Sequence, residues 1–307
     1  MSLADIVRKI LPASVTTSIA RSRRSARRAK IQNLPVLTEK AFTDILTNDL
    51  GLVGGDTVYV ASSVDQLHLD FPFYRILALI QDVIGPRGNV LFPTYPNRSP
   101  TSSYDYLVDG HVFNVRRTPS YTGLLSEFAR RQKGAIRSLH PTKSVCAIGP
   151  DAEALTWNHQ NSPYPYDICS PYYKLAEYEA KVIGIGVWTD YLSFLHCTED
   201  ALKQRFPVPV YHERLFAAKC INYRGETELV ETYAHNMDMV KPNVVPFVKE
   251  HILPEICSDL TINGMKFVRA DARRLFDEML RLARVGITPY PRNLYSKEFL
   301  KTINAEG

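Results

Sequence analysis

The sequence predicts an α/β protein with a mixed central sheet, helices on its faces and an antiparallel C-terminal subdomain. Three observations carry this. An apolar run Thr57 to Ala61, a helical stretch Phe73 to Ile84 and a second apolar run Asn89 to Phe92 form a βαβ unit, which requires parallel strands and a right-handed crossover. A third apolar run, Lys181 to Val187, leads after a short loop into a helix carrying His196 and Glu199. Beyond Arg205 the pattern changes: Ala217 to Tyr223 and Glu226 to Tyr233 read as a hairpin across Arg224-Gly225.

Taken in order, the body begins at Leu34. Thr38 is placed to cap a helix with Phe42, Ile45, Leu46 and Leu50 on one face, ended by Gly51. Gly54-Gly55 precedes the first strand, and Gly85-Pro86 stops the second helix. Both strands of the βαβ unit end in hydroxyls (Ser62 and Ser63; Thr94), which serve either a ligand crevice or turn formation. Tyr95 to Pro119 is a long aromatic-rich loop with Asp105, Asp109, Arg98, Arg116 and Arg117, suited to a lid. Tyr121 to Gln132 follows as a helix starting near Ser120, and Asp151 to Asn158 as a shorter one. In the last third, Asn243 to Ile252 is helical, Asn263-Gly264 turns into a strand Met265 to Arg269, and Asp271 caps a helix reaching Val285. No linker splits residues 34–307, so they read as one domain, with the antiparallel subdomain over about 207–285.

The net charge of +5 is unevenly spread. Residues 1–30 hold eight of the 37 basic residues and one of the 32 acidic ones, leaving 29 against 31 in the remainder. A near-neutral body argues against nucleic acid as a partner. Residues 1–33 form a basic amphipathic segment. Leu3, Ile6, Val7, Ile10 and Leu11 recur at helical spacing before the arginine cluster Arg21 to Lys30. Such a segment suits peripheral contact with an anionic membrane, or packing on the body or a second subunit. Five scattered cysteines without C-x-x-C spacing predict neither a disulfide framework nor a zinc ribbon, and place the protein in a reducing, cytoplasmic compartment. No apolar run has membrane-spanning length.

The chemistry centres on Thr118 to Asp200. His196 and Glu199 stand at i, i+3 on one helical face, beyond the carboxyl end of a strand where open sheets bind ligands. His140 and His159 flank a neighbouring unit and could reach the same crevice. A histidine oriented by a carboxylate suits general-base catalysis, although such a pair also occurs as an ordinary cap or surface contact. No Gly-x-Ser-x-Gly elbow signals a covalent intermediate.

The ordered set Ala61-Ser62-Ser63, Phe92-Pro93-Thr94, Pro119-Ser120 with Gly123, Arg137-Ser138 with His140-Pro141, Ser144 to Gly149, His159, Ser170-Pro171, Lys181 to Gly186, Asp190, and His196 with Glu199 resembles the aminoglycoside 3-N-acetyltransferase family over roughly residues 35–270. Two positions depart from the family pattern: Ala61 replaces its usual histidine, and Ser193 its frequent threonine. The resemblance implies an acyl-coenzyme A-dependent N-acyltransferase, with acetyl-coenzyme A as co-substrate and no metal. It implies His159 as base oriented by Glu199, with His140 as a second candidate base and His196 on the acceptor side. Ser62, Ser63, Thr94, Ser120 and Gly123 are expected on the cofactor, and Asp190 and Ser193 on the acceptor. The loop arginines point to an amino sugar with anionic character, as in surface-polysaccharide synthesis. An aminoglycoside acceptor, an amidase or deacylase using the same pair, and a non-catalytic binder are the alternatives. A homodimer is compatible with all of them.

Overall fold

The computed structural model describes residues 28–97, 102–236 and 240–305, together with Ser22, Ser25 and Ala26. The apolar stripe of residues 1–20, most of the arginine cluster and Arg98 lie outside the described residues.

Three parallel strands form the centre: β1 (Thr57–Ser62), β2 (Asn89–Pro93) and β6 (Lys181–Ile185), with β1 between the other two. Their residues are almost wholly buried, as near-continuous apolar runs covered on both faces must be. Side chains alternate between two cores. Tyr59, Leu91 and Val182 pack with Leu175, Phe247, Leu275 and Phe276 on one face. Val58, Val90, Ile183 and Ile185 pack with Phe42, Leu46, Ile76 and Ile80 on the other.

Antiparallel strands extend both edges. On one side β5 (Val145–Ile148) pairs with β2, and the short β4 (Ile136–Arg137) pairs with β5. On the other, β10 (Met265–Asp271) pairs with β6 and β9 (Cys257–Ile262) with β10. The sheet order is β4-β5-β2-β1-β6-β10-β9. The expected hairpin forms as β7 (Phe216–Ile221) and β8 (Thr227–Thr232). Asn222 Oδ1 accepts from the amides of Arg224 and Glu226 across the turn. This hairpin belongs to a second sheet, completed by the two residues of β3 (Phe113–Asn114) in parallel register with Cys220 and Ile221. The C-terminal antiparallel strands therefore divide between the edge of the central sheet and a sheet of their own.

Helix ends follow the expected chemistry in most places. Thr38 and Asp271 accept hydrogen bonds from Ala41 N and Arg274 N and open their helices. Gly85, at φ +66°, closes the helix Arg75–Ile84. One start is displaced. The helix expected from near Ser120 begins at Leu124, because Gly123 takes φ +131° and Ser120 and Thr122 bond each other's hydroxyls at 2.8 Å. The lid loop carries a helix, Ser103–Val108, with a capping box between Ser102 and Asp105. Among the described residues no helix is long and apolar enough to cross a membrane.

Arg137 pins β4 to the centre. It is 3% exposed, and its Nε donates to Thr94 Oγ1 at 3.1 Å and Ser144 Oγ at 3.0 Å. Its Nη1 donates to Thr118 O at 2.6 Å, and its guanidinium lies 4.7 Å from the Phe113 ring centroid. Burial pulls its pKa down to about 10. Arg137→Met should remove about 3–5 kcal/mol from the unfolding free energy in urea, because carbonyls and hydroxyls built around a charged donor would stay buried without one. A loss below 1 kcal/mol would mean the site rehydrates at little cost.

Candidate active site

Gly186 ends β6 at φ +73°, where any Cβ would run into the carbonyl of Ser63. That close approach joins the ends of β1 and β6 at the rim of a crevice of about 400 Å³. Ala61 and Ser62 line it from β1, Pro93 and Tyr95 from the end of β2, and Asp190 to Glu199 from beyond β6.

His196 closes a 3₁₀ turn, Ser193–His196, and immediately precedes the helix Cys197–Leu202. The junction sets its Nδ1 at 3.0 Å from both carboxylate oxygens of Glu199. Glu199 receives two further bonds. His235 Nε2 lies 2.9 Å from Oε2, and the Tyr290 hydroxyl donates to Oε1 at 2.5 Å. His235 is placed by an isolated antiparallel bridge to Tyr211, whose ring lies 4.4 Å from its own. The Glu199 side chain is 4% exposed and that of His196 18%, so the carboxylate is sealed while the imidazole meets the crevice.

Burial raises the Glu199 carboxyl, but the charge and hydrogen bonds of His196 and His235 outweigh it and hold the pKa down to about 2. Burial, reinforced by nearby His196, pushes His235 down to about 4 despite its bond to Glu199. A carboxylate only accepts, so both histidines and Tyr290 must donate to it. His196 then carries its proton on Nδ1 and presents a bare Nε2. This is the arrangement of a general base held in one tautomer by an acid.

The expected pair of His159 and Glu199 does not form. His159 is buried, its Nδ1 2.8 Å from Ser138 Oγ and its Nε2 2.9 Å from Pro165 O. The carbonyl fixes the Nε2–H tautomer, so both ring nitrogens are occupied by the protein. Burial pushes its pKa down to about 3. His140, 0% exposed, stacks on it with ring centroids 4.4 Å apart. His140 Nδ1 accepts from Lys143 N at 3.0 Å and Thr142 N at 3.3 Å, and burial holds its pKa well below the usual range. This stack fastens the turn after β4; neither ring lines the crevice.

The expected cofactor residues separate. Ser62 faces the crevice, its buried Oγ without a protein partner. Ser63 spends its hydroxyl on Asp65 at 2.6 Å. Thr94 spends its own on Ser144, and Ser120 on Thr122. Gly123 brings backbone close to Ser62 O, a Cβ there standing only 3.2 Å from it. The expected acceptor residues Asp190 and Ser193 both line the crevice. His235, Tyr290 and Lys143 were not singled out by sequence. Lys143 lies at the crevice, 4.7 Å from the Tyr95 ring centroid, with its pKa pulled down to about 8 by burial. Two of the lid charges are engaged elsewhere. Arg116 donates to Tyr223 O at 3.0 Å and Asp105 caps its helix, so they give no support to an anionic acceptor.

Comparison with known proteins identifies the family. The sequence model of the family described as aminoglycoside 3-N-acetyltransferase matches residues 71–282. Among curated relatives, aminoglycoside N(3)-acetyltransferase IX of Micromonospora chalcea is 29% identical over 177 residues, 52% of this chain and 61% of that protein. Aminoglycoside N(3)-acetyltransferase III of Salmonella sp is 30% identical over 176 residues, 53% of this chain and 60% of that protein. The chain thus spans about three fifths of the length of these relatives. Among solved structures, AAC-IIIb in a binary complex with CoASH superposes with a TM-score of 0.64 at 24% identity, covering 80% of this chain and 96% of that one. With the family match extending over more than half of the chain and the same architecture in a solved relative, this protein belongs to the aminoglycoside 3-N-acetyltransferase family.

Proposed function

We propose that the protein transfers an acetyl group from acetyl-coenzyme A to an amine of an aminoglycoside-type amino sugar, with His196 as the general base and Glu199 as its orienting partner. The observation that carries this reading is the His196 Nδ1 at 3.0 Å from both Glu199 oxygens, on the wall of a crevice at the ends of β1 and β6. The expected acceptor of a surface-polysaccharide pathway gives way to the aminoglycoside alternative. The curated relatives carry aminoglycoside names, and Arg116, one of the loop arginines that suggest an anionic acceptor, bonds the hairpin instead.

In this mechanism the amine nitrogen attacks the thioester carbonyl while its proton passes to His196 Nε2. The C–S bond then breaks, and the imidazolium returns the proton to the leaving thiolate. Glu199, ionised and sealed, stabilises the imidazolium as it forms. The unpartnered Ser62 hydroxyl is the donor available to the oxyanion, a contribution of about 3–4 kcal/mol for a well-placed group. Asp190 and Ser193 face the acceptor.

A thermal-shift titration tests the donor. Acetyl-coenzyme A at about 100 Kd should stabilise the fold by about 2.7 kcal/mol, and adding an aminoglycoside should release free thiol. No stabilisation at millimolar thioester would sink the transferase reading. Amide hydrolysis without coenzyme A would move it to the deacylase alternative.

A further inference from the structure

The proposed base sits inside a donor set that its own chemistry does not require. One imidazole and one carboxylate suffice for general-base catalysis, yet a second imidazole, His235, reaches the same carboxylate. The nearest ligand-capable atoms of His196, Glu199 and His235 all lie within 4.8 Å of one another, and all three residues line the crevice. Two imidazole nitrogens and a carboxylate oxygen converging at the wall of the crevice are the donors of a three-ligand Zn²⁺ site.

We propose that His196, Glu199 and His235 bind a divalent transition-metal ion, with Zn²⁺ as the type, and that this ion switches the enzyme off by occupying the base. The inference rests on His196 being that base. Metal–nitrogen and metal–oxygen bonds of about 2.0–2.1 Å place tetrahedral ligand atoms roughly 3.3 Å apart. The two carboxylate–imidazole separations here are 2.9–3.0 Å and open by a few tenths of an ångström, and the imidazole nitrogens, within 4.8 Å of each other, draw in to close the triangle around the ion. Each imidazole moves its proton to the far ring nitrogen, His196 to Nε2 and His235 to Nδ1, and no net proton is released. Tyr290 keeps its bond to Glu199 Oε1 and holds the carboxylate while Oε2 binds. The fourth position is left to water on the crevice side, where the acceptor amine would otherwise sit. With its Nε2 protonated, His196 can no longer accept the acceptor's proton. The set excludes Mg²⁺ and Ca²⁺, which want oxygen ligands. Among the described residues no other three His, Cys, Asp or Glu side chains converge in this way.

The test uses the full chain, stripped with a chelator and desalted. Zn²⁺ titrated against a chromogenic chelator should bind with a single equivalent. Co²⁺ should give visible bands of a four-coordinate N/O site without a thiolate charge-transfer band. His235→Gln should weaken Zn²⁺ at least about tenfold. His196→Asn, at the partly exposed ligand, should do the same and covers the case in which the His235 variant fails to fold. In turnover, Zn²⁺ should inhibit competitively with the acceptor, and a chelator should restore the rate. Absence of binding, a thiolate band, or unchanged Zn²⁺ affinity in a folded variant would each overturn the proposal. If Zn²⁺ binds as described but the metal-free protein acetylates no amine, the metal site stands and the transferase reading fails.

Discussion

Replacing His196 by alanine should lower kcat/KM for acetyl transfer by about 10²–10⁴-fold while leaving the melting temperature within a few degrees. Its side chain is partly exposed and, among the described residues, Glu199 is its hydrogen-bonding partner, so its loss is chemical before it is structural. Glu199→Gln should cost roughly 10²-fold or more, since an amide cannot accept from His196, His235 and Tyr290 together without setting its own NH₂ against one of them. The two effects should be far from additive in the double variant, because the residues act as one unit. His159→Ala and His140→Ala discriminate. Both rings are internal fasteners, so these changes should lower stability, with turnover per folded molecule changing much less. Near-normal turnover in a folded His196→Ala protein, with loss in His159→Ala, would return the base to His159.

The protein should also be unusually sensitive to acid. His140, His159 and His235 are buried and held neutral, with His159 pushed to about 3, His235 to about 4 and His140 well below the usual range. An unfolded chain protonates each near 6.5. Below that pH the unfolded state binds up to three protons that the native state refuses. Stability therefore falls as pH falls, by up to about 4 kcal/mol per pH unit, until the folded pKa values are reached. Glu199 works in the same direction at lower pH. Its contribution is complete above about 4.5 and is lost as pH falls towards about 2. Set against a typical stability of about 5–15 kcal/mol, this predicts unfolding between pH 6 and pH 4. Urea midpoints measured from pH 8 to pH 5 check it. A flat profile over that range would refute the buried-neutral assignment. His159→Gln, which can accept from Ser138 and donate to Pro165 O without a titrating group, should reduce the slope by about a third.

What could be read in advance follows the range of the interaction. The βαβ unit, the hairpin turn at Arg224-Gly225 and the caps Thr38 and Asp271 depend on neighbours within a few residues, and all appear in the structure. The His196–Glu199 contact is of the same kind, three residues along one turn. The pairing of His159 with Glu199 depends on tertiary placement, which local pattern does not encode. It failed because the local turns gave His159 nearer partners, Ser138 and Pro165. Tyr290 bonds Glu199 across 91 residues and His235 across 36, and neither lies in a motif that marks it. The second sheet was hidden because β3 is two residues long, too short for any periodicity. Ser63 and Thr94 follow strand ends as expected and Ser120 precedes a helix, places where hydroxyls serve turns as readily as ligands. Here their bonds stay within the protein.

Because Glu199 is gripped from residues 196, 235 and 290, its environment is complete only when the tail of the chain has docked. A nascent chain emerging from the ribosome through residue 286 would own every described strand of both sheets and the proposed base, yet it would lack the phenol that closes the carboxylate's shell. Contacts at such separation form late, after loop-closure entropy has been met by local structure. Acetylation would then be the last property acquired during biosynthesis, and the onset of turnover in a refolding experiment would time the docking of the C-terminal segment rather than formation of the sheet.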